Sequence, residues 1–305
     1  MRSIPFTLLW SGAAALLSST SKTHNLPRGG LSTTWAKKQL KISDWAEDAK
    51  ESGGVYRDGE FLTKEGLEAE RAAEAKAAMA KAQETKPPEL FLKAGPDGVS
   101  PGDCPFAHLD RMMLAYKGVE VVLRPCANNE AKPKWLLDGY EGKMPALLHD
   151  SDCIVESADI AKYVDFFWPS PACAAPLEGA GAEACSSFFP AVAKFIKNTD
   201  PSADAELEAG LVKVLEAIDT HLAANKGDGP FLAGSQLLGL EDCSLAPKLH
   251  HMHVAAKHYK SFEPPAELRA LAAYTEAVFA HPAFAETKAT DEAVIWGWGN
   301  ARSLK

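Results

Sequence analysis

No apolar run in the 305-residue sequence reaches the roughly 18 residues that a membrane-spanning helix requires. Concentrated basic charge is missing too. Lys and Arg number 32 against 41 Asp and Glu, a formal charge of −9, which argues against nucleic acid as a partner because phosphate binding needs clustered cations. Cysteine occurs six times, at 104, 126, 153, 173, 185 and 243, but never as CxxC and never with histidine at zinc-ligand spacing, so no metal is expected. Six cysteines in a chain this long do not make a secreted disulfide scaffold either. No internal repeat is evident. What remains is an ordinary soluble composition, 46% hydrophobic and 24% charged, with length for about two domains.

Acidic residues are absent from the first 43 positions, which carry Arg2, Lys22, Arg28, Lys37, Lys38 and Lys41. Ile4 to Leu17 is apolar and ends in Ser18-Ser19-Thr20-Ser21, the pattern of a secretory signal. The basic, hydroxyl-bearing stretch Lys22 to Lys41 follows as a transit peptide would. Together they resemble the bipartite leader that carries proteins into plastids enclosed by extra membranes. Residues 1–43 are therefore read as a leader for the plastid, with the secretory pathway or the mitochondrion as alternatives.

Residues 44–88 are polar and poor in aliphatics, and Glu65 to Thr85 is rich in Ala, Glu and Lys. That predicts a solvated helical extension or linker, stopped by Pro87-Pro88. A compact α/β pattern occupies 89–168. Leu90 to Leu92 predicts a strand, Pro105 to Lys117 a helix, Val119 to Leu123 a strand and Lys134 to Asp138 a short helix. Ala146 to Leu148 and Cys153 to Val155 predict a strand pair, and Ser157 to Phe167 a last helix. The order βαβαββα is thioredoxin-like. Trp168 to about Ser187 reads as a Pro/Ala/Gly linker, and 185–300 as an all-helical domain with helices at 188–198, 203–224, 243–259, 265–280 and 283–290. A thioredoxin-like domain followed by a helical one is the architecture of the glutathione transferase fold.

Cys104, in Gly102-Asp103-Cys104-Pro105-Phe106, stands where a loop meets a helix. Proline suits the first helical position because it has no amide hydrogen to leave unpaired. The cysteine then faces the free N–H groups and the positive end of the helix dipole, which favour thiolate over thiol. A depressed thiol pKa and a nucleophilic role are the expectation. Position 107 is Ala, so no second cysteine can resolve an oxidised sulfur. Release must come from an outside thiol, which favours glutathione as co-substrate, with no bound cofactor.

Met144-Pro145 precedes the strand pair, and Glu156-Ser157 opens the next helix. A cis bond before Pro145 would present the Met144 backbone to a peptide-like ligand. Ser157 and the neighbouring N–H groups can receive a carboxylate such as that of the γ-glutamyl group.

These stretches, with LFLKAG, GDCPF, KPKWLLDGYEGKMPAL, ESADIAKYV, FFPAVAKFIKNTDP, GPFLAG, DCSLAPKLHH and AVIWGW, make Glu89 to about Asn300 similar to the dehydroascorbate reductases of plants and algae. That group is a branch of the glutathione transferase superfamily near the chloride intracellular channel family. The resemblance implies Cys104 as nucleophile, Lys93 and Asp103 lining the dehydroascorbate pocket, and Lys132, Met144, Glu156 and Ser157 holding glutathione. Lys143 is a neighbouring candidate for the glycyl carboxylate. It also implies a monomer. Two departures stand out: Ala107 where the family has serine, and Glu156 where it has aspartate. The implied cycle reduces dehydroascorbate at Cys104, forms a mixed disulfide with one glutathione, and releases oxidised glutathione with a second. An omega-like thioltransferase is the alternative enzyme, and a channel-like membrane-inserting protein the alternative of another class. Asp110 and Arg111 on the cysteine helix count against the latter.

Other residues are read as structural. Asp242 follows a Gly239 cap, His250, His251, His253 and His258 fit no ligand set, and Trp296 and Trp298 are packing anchors.

Overall fold

The computed structural model describes residues 86–303, together with the backbone of 54–57 and 60–63. The expected leader and the helix at 65–85 lie outside the described residues. Within 44–88 the described piece is a hairpin: β1 (Gly54–Arg57) pairs antiparallel with β2 (Glu60–Thr63), Arg57 opposite Glu60. Asp58-Gly59 between them is a strong two-residue hairpin signal that the polar composition concealed.

The sheet has the order β4-β3-β5-β6. It comprises β3 (Glu89–Lys93), β4 (Val122–Cys126), β5 (Ala146–His149) and β6 (Asp152–Val155). β3 runs parallel to β4 and antiparallel to β5, and β5 antiparallel to β6. Helices α1 (Pro105–Tyr116), α2 (Lys134–Tyr140) and α3 (Ser157–Phe167) complete the thioredoxin-like order. Alternation along β3 sends Leu90 and Leu92 into the core shared with Met112 and Met113 of α1 and Ile160 of α3. Phe91 faces the other side, with Leu136 of α2, Cys126 and Ala146.

The second expected strand is displaced. It begins at Val122, not Val119, and includes Pro125. β4 is an edge strand, where a residue without an N–H is tolerated.

The helical half comprises α4 (Gly179–Lys197), α5 (Asp204–Ala224), α6 (Leu240–His251), α7 (Arg269–Ala280), α8 (Pro282–Ala285) and α9 (Asp291–Ser303). α6 runs on through a π-helical turn, Met252–Ala256, into a final turn, Lys257–Lys260. Two expectations fail here. The supposed linker is helical from Gly179, because its small residues permit close helix contact: a Cβ on Gly181 would overlap the His221 ring of α5, 2.6 Å from Cε1. The second is α9, which was not expected as a helix at all. Fully buried Phe188 and Val192 of α4 and Leu211 and Leu215 of α5 join the same core as the sheet's helices, each contributing about 1.5–3 kcal/mol.

α1 joins the halves. It packs on α3 within the first domain and on α6 and α8 in the second. At its end the Lys117 ammonium, fully buried, donates to Asp165 Oδ1 and to the Pro171 carbonyl, both at 2.6 Å. Tyr116 Oη donates to the Ala172 carbonyl at 2.8 Å, so the connecting segment is tied to the helix that carries Cys104.

Candidate active site

β3 ends at Lys93, and the chain loops back against it. The Gly102 N–H donates to the Lys93 carbonyl at 2.7 Å, and Ala94 bridges Pro101. A Cβ on Gly102 would stand 2.7 Å from that carbonyl oxygen and 2.8 Å from that of Ala94, so only glycine permits the approach. This return delivers Asp103 and Cys104 beside Lys93, at the start of α1.

Cys104 is the N-cap of α1, with Pro105 at the first helical position and no side-chain cap. The backbone N–H groups of Ala107 and Phe106 at the helix start pull the thiol pKa down, as the sequence anticipated. Burial outweighs them, however, and the nearby carboxyls of Asp103 and Asp110 add to the upward push. The thiol is therefore held above its ordinary value, a correction to the expected depression. Burial also raises the Asp103 carboxyl, with Lys93 opposing. Asp110 is wholly buried, neither carboxyl oxygen has a hydrogen-bond partner, and burial raises its pKa well above the ordinary value.

The second group of expected residues gathers around α2 and α3. Lys132 Nζ donates to the Gly142 carbonyl at 2.9 Å. Lys143 Nζ lies 3.5 Å from Glu156 Oε1, both side chains more exposed than not. The Met144-Pro145 bond is cis. Glu156 is the N-cap of α3 with φ 70°, and its side chain makes no capping bond to the helix that Ser157 opens.

The histidines do not converge on a point. His251 Nε2 lies 2.6 Å from the Asp103 carbonyl, and its Nδ1 accepts from Trp298 Nε1 at 2.9 Å. His250 Nε2 faces Asp291 Oδ1 at 3.3 Å, and the His253 ring packs edge-on against Phe279. No group of three metal-ligating side chains occurs among the described residues. Trp296 lies under the Lys93 ammonium, 5.6 Å from centroid to Nζ. These contacts of His251, Trp296 and Trp298 with the cysteine loop were not legible in the sequence, although the AVIWGW run was visible.

Asp242 is structural, as read. Its carboxylate accepts from the Gly239 N–H at 2.7 Å and the Leu232 N–H at 3.0 Å, and burial pushes its pKa up to about 6.

Comparison with known proteins agrees with this fold. Residues 102–166 match the family model of the glutathione S-transferase N-terminal domain, and 202–277 that of the C-terminal domain. Glutathione S-transferase DHAR2 of Arabidopsis thaliana is 36% identical over 65% of this chain and 89% of its own. Probable glutathione S-transferase DHAR1, cytosolic, of Oryza sativa subsp. japonica is also 36% identical, over 69% and 96%. From the same species, probable glutathione S-transferase DHAR2, chloroplastic, is 33% identical over 70% and 76%. The crystal structure of Chlamydomonas reinhardtii dehydroascorbate reductase superposes with a TM-score of 0.62 at 30% identity, covering 70% of this chain and 98% of that one. The chain belongs to the glutathione transferase superfamily, in its dehydroascorbate reductase branch.

Proposed function

We propose that the protein reduces dehydroascorbate to ascorbate with electrons from two glutathione molecules, Cys104 being the nucleophile. The observation that carries this is the position of Cys104. It caps α1 beside Asp103 and Lys93, in a chain 30% identical to a dehydroascorbate reductase of known structure. The Cys104 thiolate adds to a carbonyl carbon of dehydroascorbate, and Lys93 and Asp103 hold the oxygens that gain charge and protons. The thiolate of a first glutathione attacks the Cys104 sulfur. An S–S bond forms, the C–S bond breaks, and the electron pair leaves on carbon as the enediol of ascorbate. A second glutathione attacks the mixed disulfide, returning the Cys104 thiolate and releasing oxidised glutathione.

Lys132, Lys143, Met144, Glu156 and Ser157 are the proposed glutathione contacts. Lys143 and Glu156 face each other in solvent and can open to a zwitterionic ligand. The start of α3, left uncapped by Glu156, suits its carboxylate. Cys104→Ala should abolish glutathione-dependent ascorbate formation while leaving the fold intact by circular dichroism. Retained turnover in that variant, or a faster reaction with a glutathionylated disulfide than with dehydroascorbate in the unmodified protein, would overturn the reading. No helix among the described residues is long and apolar enough to cross a membrane.

The division into a leader (1–43), an extension (44–88), a glutathione-binding domain (89–168) and a helical domain (185–300) is part of the proposal. So is plastid delivery, supported by two relatives named chloroplastic, although another is named cytosolic. Residues 1–43 fused to a fluorescent protein should carry it into plastids of an algal host; diffuse cytosolic fluorescence would remove that reading.

A further inference from the structure

Trp296, Gly297 and Trp298 are consecutive on α9, about 100° apart around its axis. This one run meets the cysteine loop in three ways. A Cβ on Gly297 would overlap Oδ2 and Cγ of Asp103 and stand 2.6 Å from Oδ1, so the bare helix backbone is a wall against which the carboxyl rests. Trp298 Nε1 can only donate, so the His251 Nδ1 that it meets is an acceptor. The His251 proton is thereby fixed on Nε2, which donates to the Asp103 carbonyl, the oxygen of the peptide unit that leads into Cys104. Trp296 offers its ring to the Lys93 ammonium. Simple packing of a late helix would need none of these polar registrations, and it would not need glycine inside a 13-residue helix.

We infer that α9 sets the geometry of the dehydroascorbate side of the site, Gly297 fixing the Asp103 carboxyl and Trp298 fixing its carbonyl through the His251 relay. Gly297, Trp298 and His251 are thus positioning residues, and Trp296 performs the same office for Lys93. The inference rests on the reading of Cys104, Asp103 and Lys93 given above.

A double-mutant cycle tests it. Gly297→Ala replaces glycine by a better helix former, so the helix itself is not at risk. Displacement of Asp103 should lower kcat/KM for dehydroascorbate by about tenfold or more, the scale expected of a misplaced site group, with KM for glutathione within about twofold. In an Asp103→Ala background the same substitution should add less than about threefold, because the group it displaces is gone. An equal loss in both backgrounds, or unchanged kinetics in folded Gly297→Ala, overturns the inference.

Trp298→Phe keeps the ring and removes the donor, and it serves if Gly297→Ala does not fold. It should lower kcat/KM for dehydroascorbate and shift the 15N signals of the His251 imidazole from a pure Nε2–H tautomer to a mixture. Unchanged kinetics, or an Nδ1–H tautomer in the unmodified protein, overturns the relay. The tautomer is read without substrate. Failure of the unmodified protein to reduce dehydroascorbate would therefore count against the function alone, and failure of the 15N signature against the relay alone.

Discussion

Cys104 lies under opposed influences that the sequence could display only in part. The helix start, visible as Cys-Pro, supplies the N–H donors of Ala107 and Phe106. Burial against the surrounding core outweighs them, and the charge of two carboxyls, one of which, Asp110, is wholly enclosed, adds to it. A thiol's ordinary pKa already lies well above 7, so raising it leaves the resting residue a thiol at neutral pH. Alkylation of Cys104 by iodoacetamide, followed by mass spectrometry of its peptide, should accelerate about tenfold per pH unit between pH 7 and 9. A rate that is flat across that interval would mean a thiolate already formed at pH 7. Legibility at this scale depended on contact distance in sequence: Cys104 and Pro105 are neighbours, whereas the partner of the Asp103 carbonyl lies 148 residues away.

Elements with a strong apolar period were legible almost to the residue. β3, α1 and α3 fall where Leu90 to Leu92, Pro105 to Lys117 and Ser157 to Phe167 were expected. Elements built on small residues were not. The glycines of 179–187 fall in the stretch read as a linker, and those of Trp296 to Gly299 lie where no helix was expected, glycine being a poor helix former. In the folded chain they are clearances: Gly181 makes room for His221, Gly297 for Asp103, and a Cβ on Gly299 would stand 2.9 Å from Tyr259 Oη. The low intrinsic preference is the local cost of a close approach, and only the tertiary partner reveals it. β4 illustrates the opposite case, in which Pro125 was avoided although an edge position accepts it.

Across the whole molecule, burial depresses six of the nine histidines: His108, His149, His250, His251, His253 and His281. His251 is taken to about 3. For each, the unfolded chain gains a proton near its ordinary value of 6.5 while the folded protein does not. The associated stability is complete above about pH 6.5 and is lost as pH falls below it. Asp103, Asp110 and Asp242, raised by burial, work in the opposite sense above about pH 4, and the six imidazoles, the more numerous set, give the expected direction. The urea midpoint should therefore fall between pH 7.5 and pH 5.5. An equal or higher midpoint at pH 5.5 would contradict this account.

The contact of Gly297 and Trp298 with the Asp103 loop also has a consequence in time. A nascent chain exposes Cys104 on the ribosome long before α9 has been translated, so the loop and its wall cannot meet until that helix has emerged. Cys104 is consequently made before its site is finished, and α9 acts as the step that commissions it.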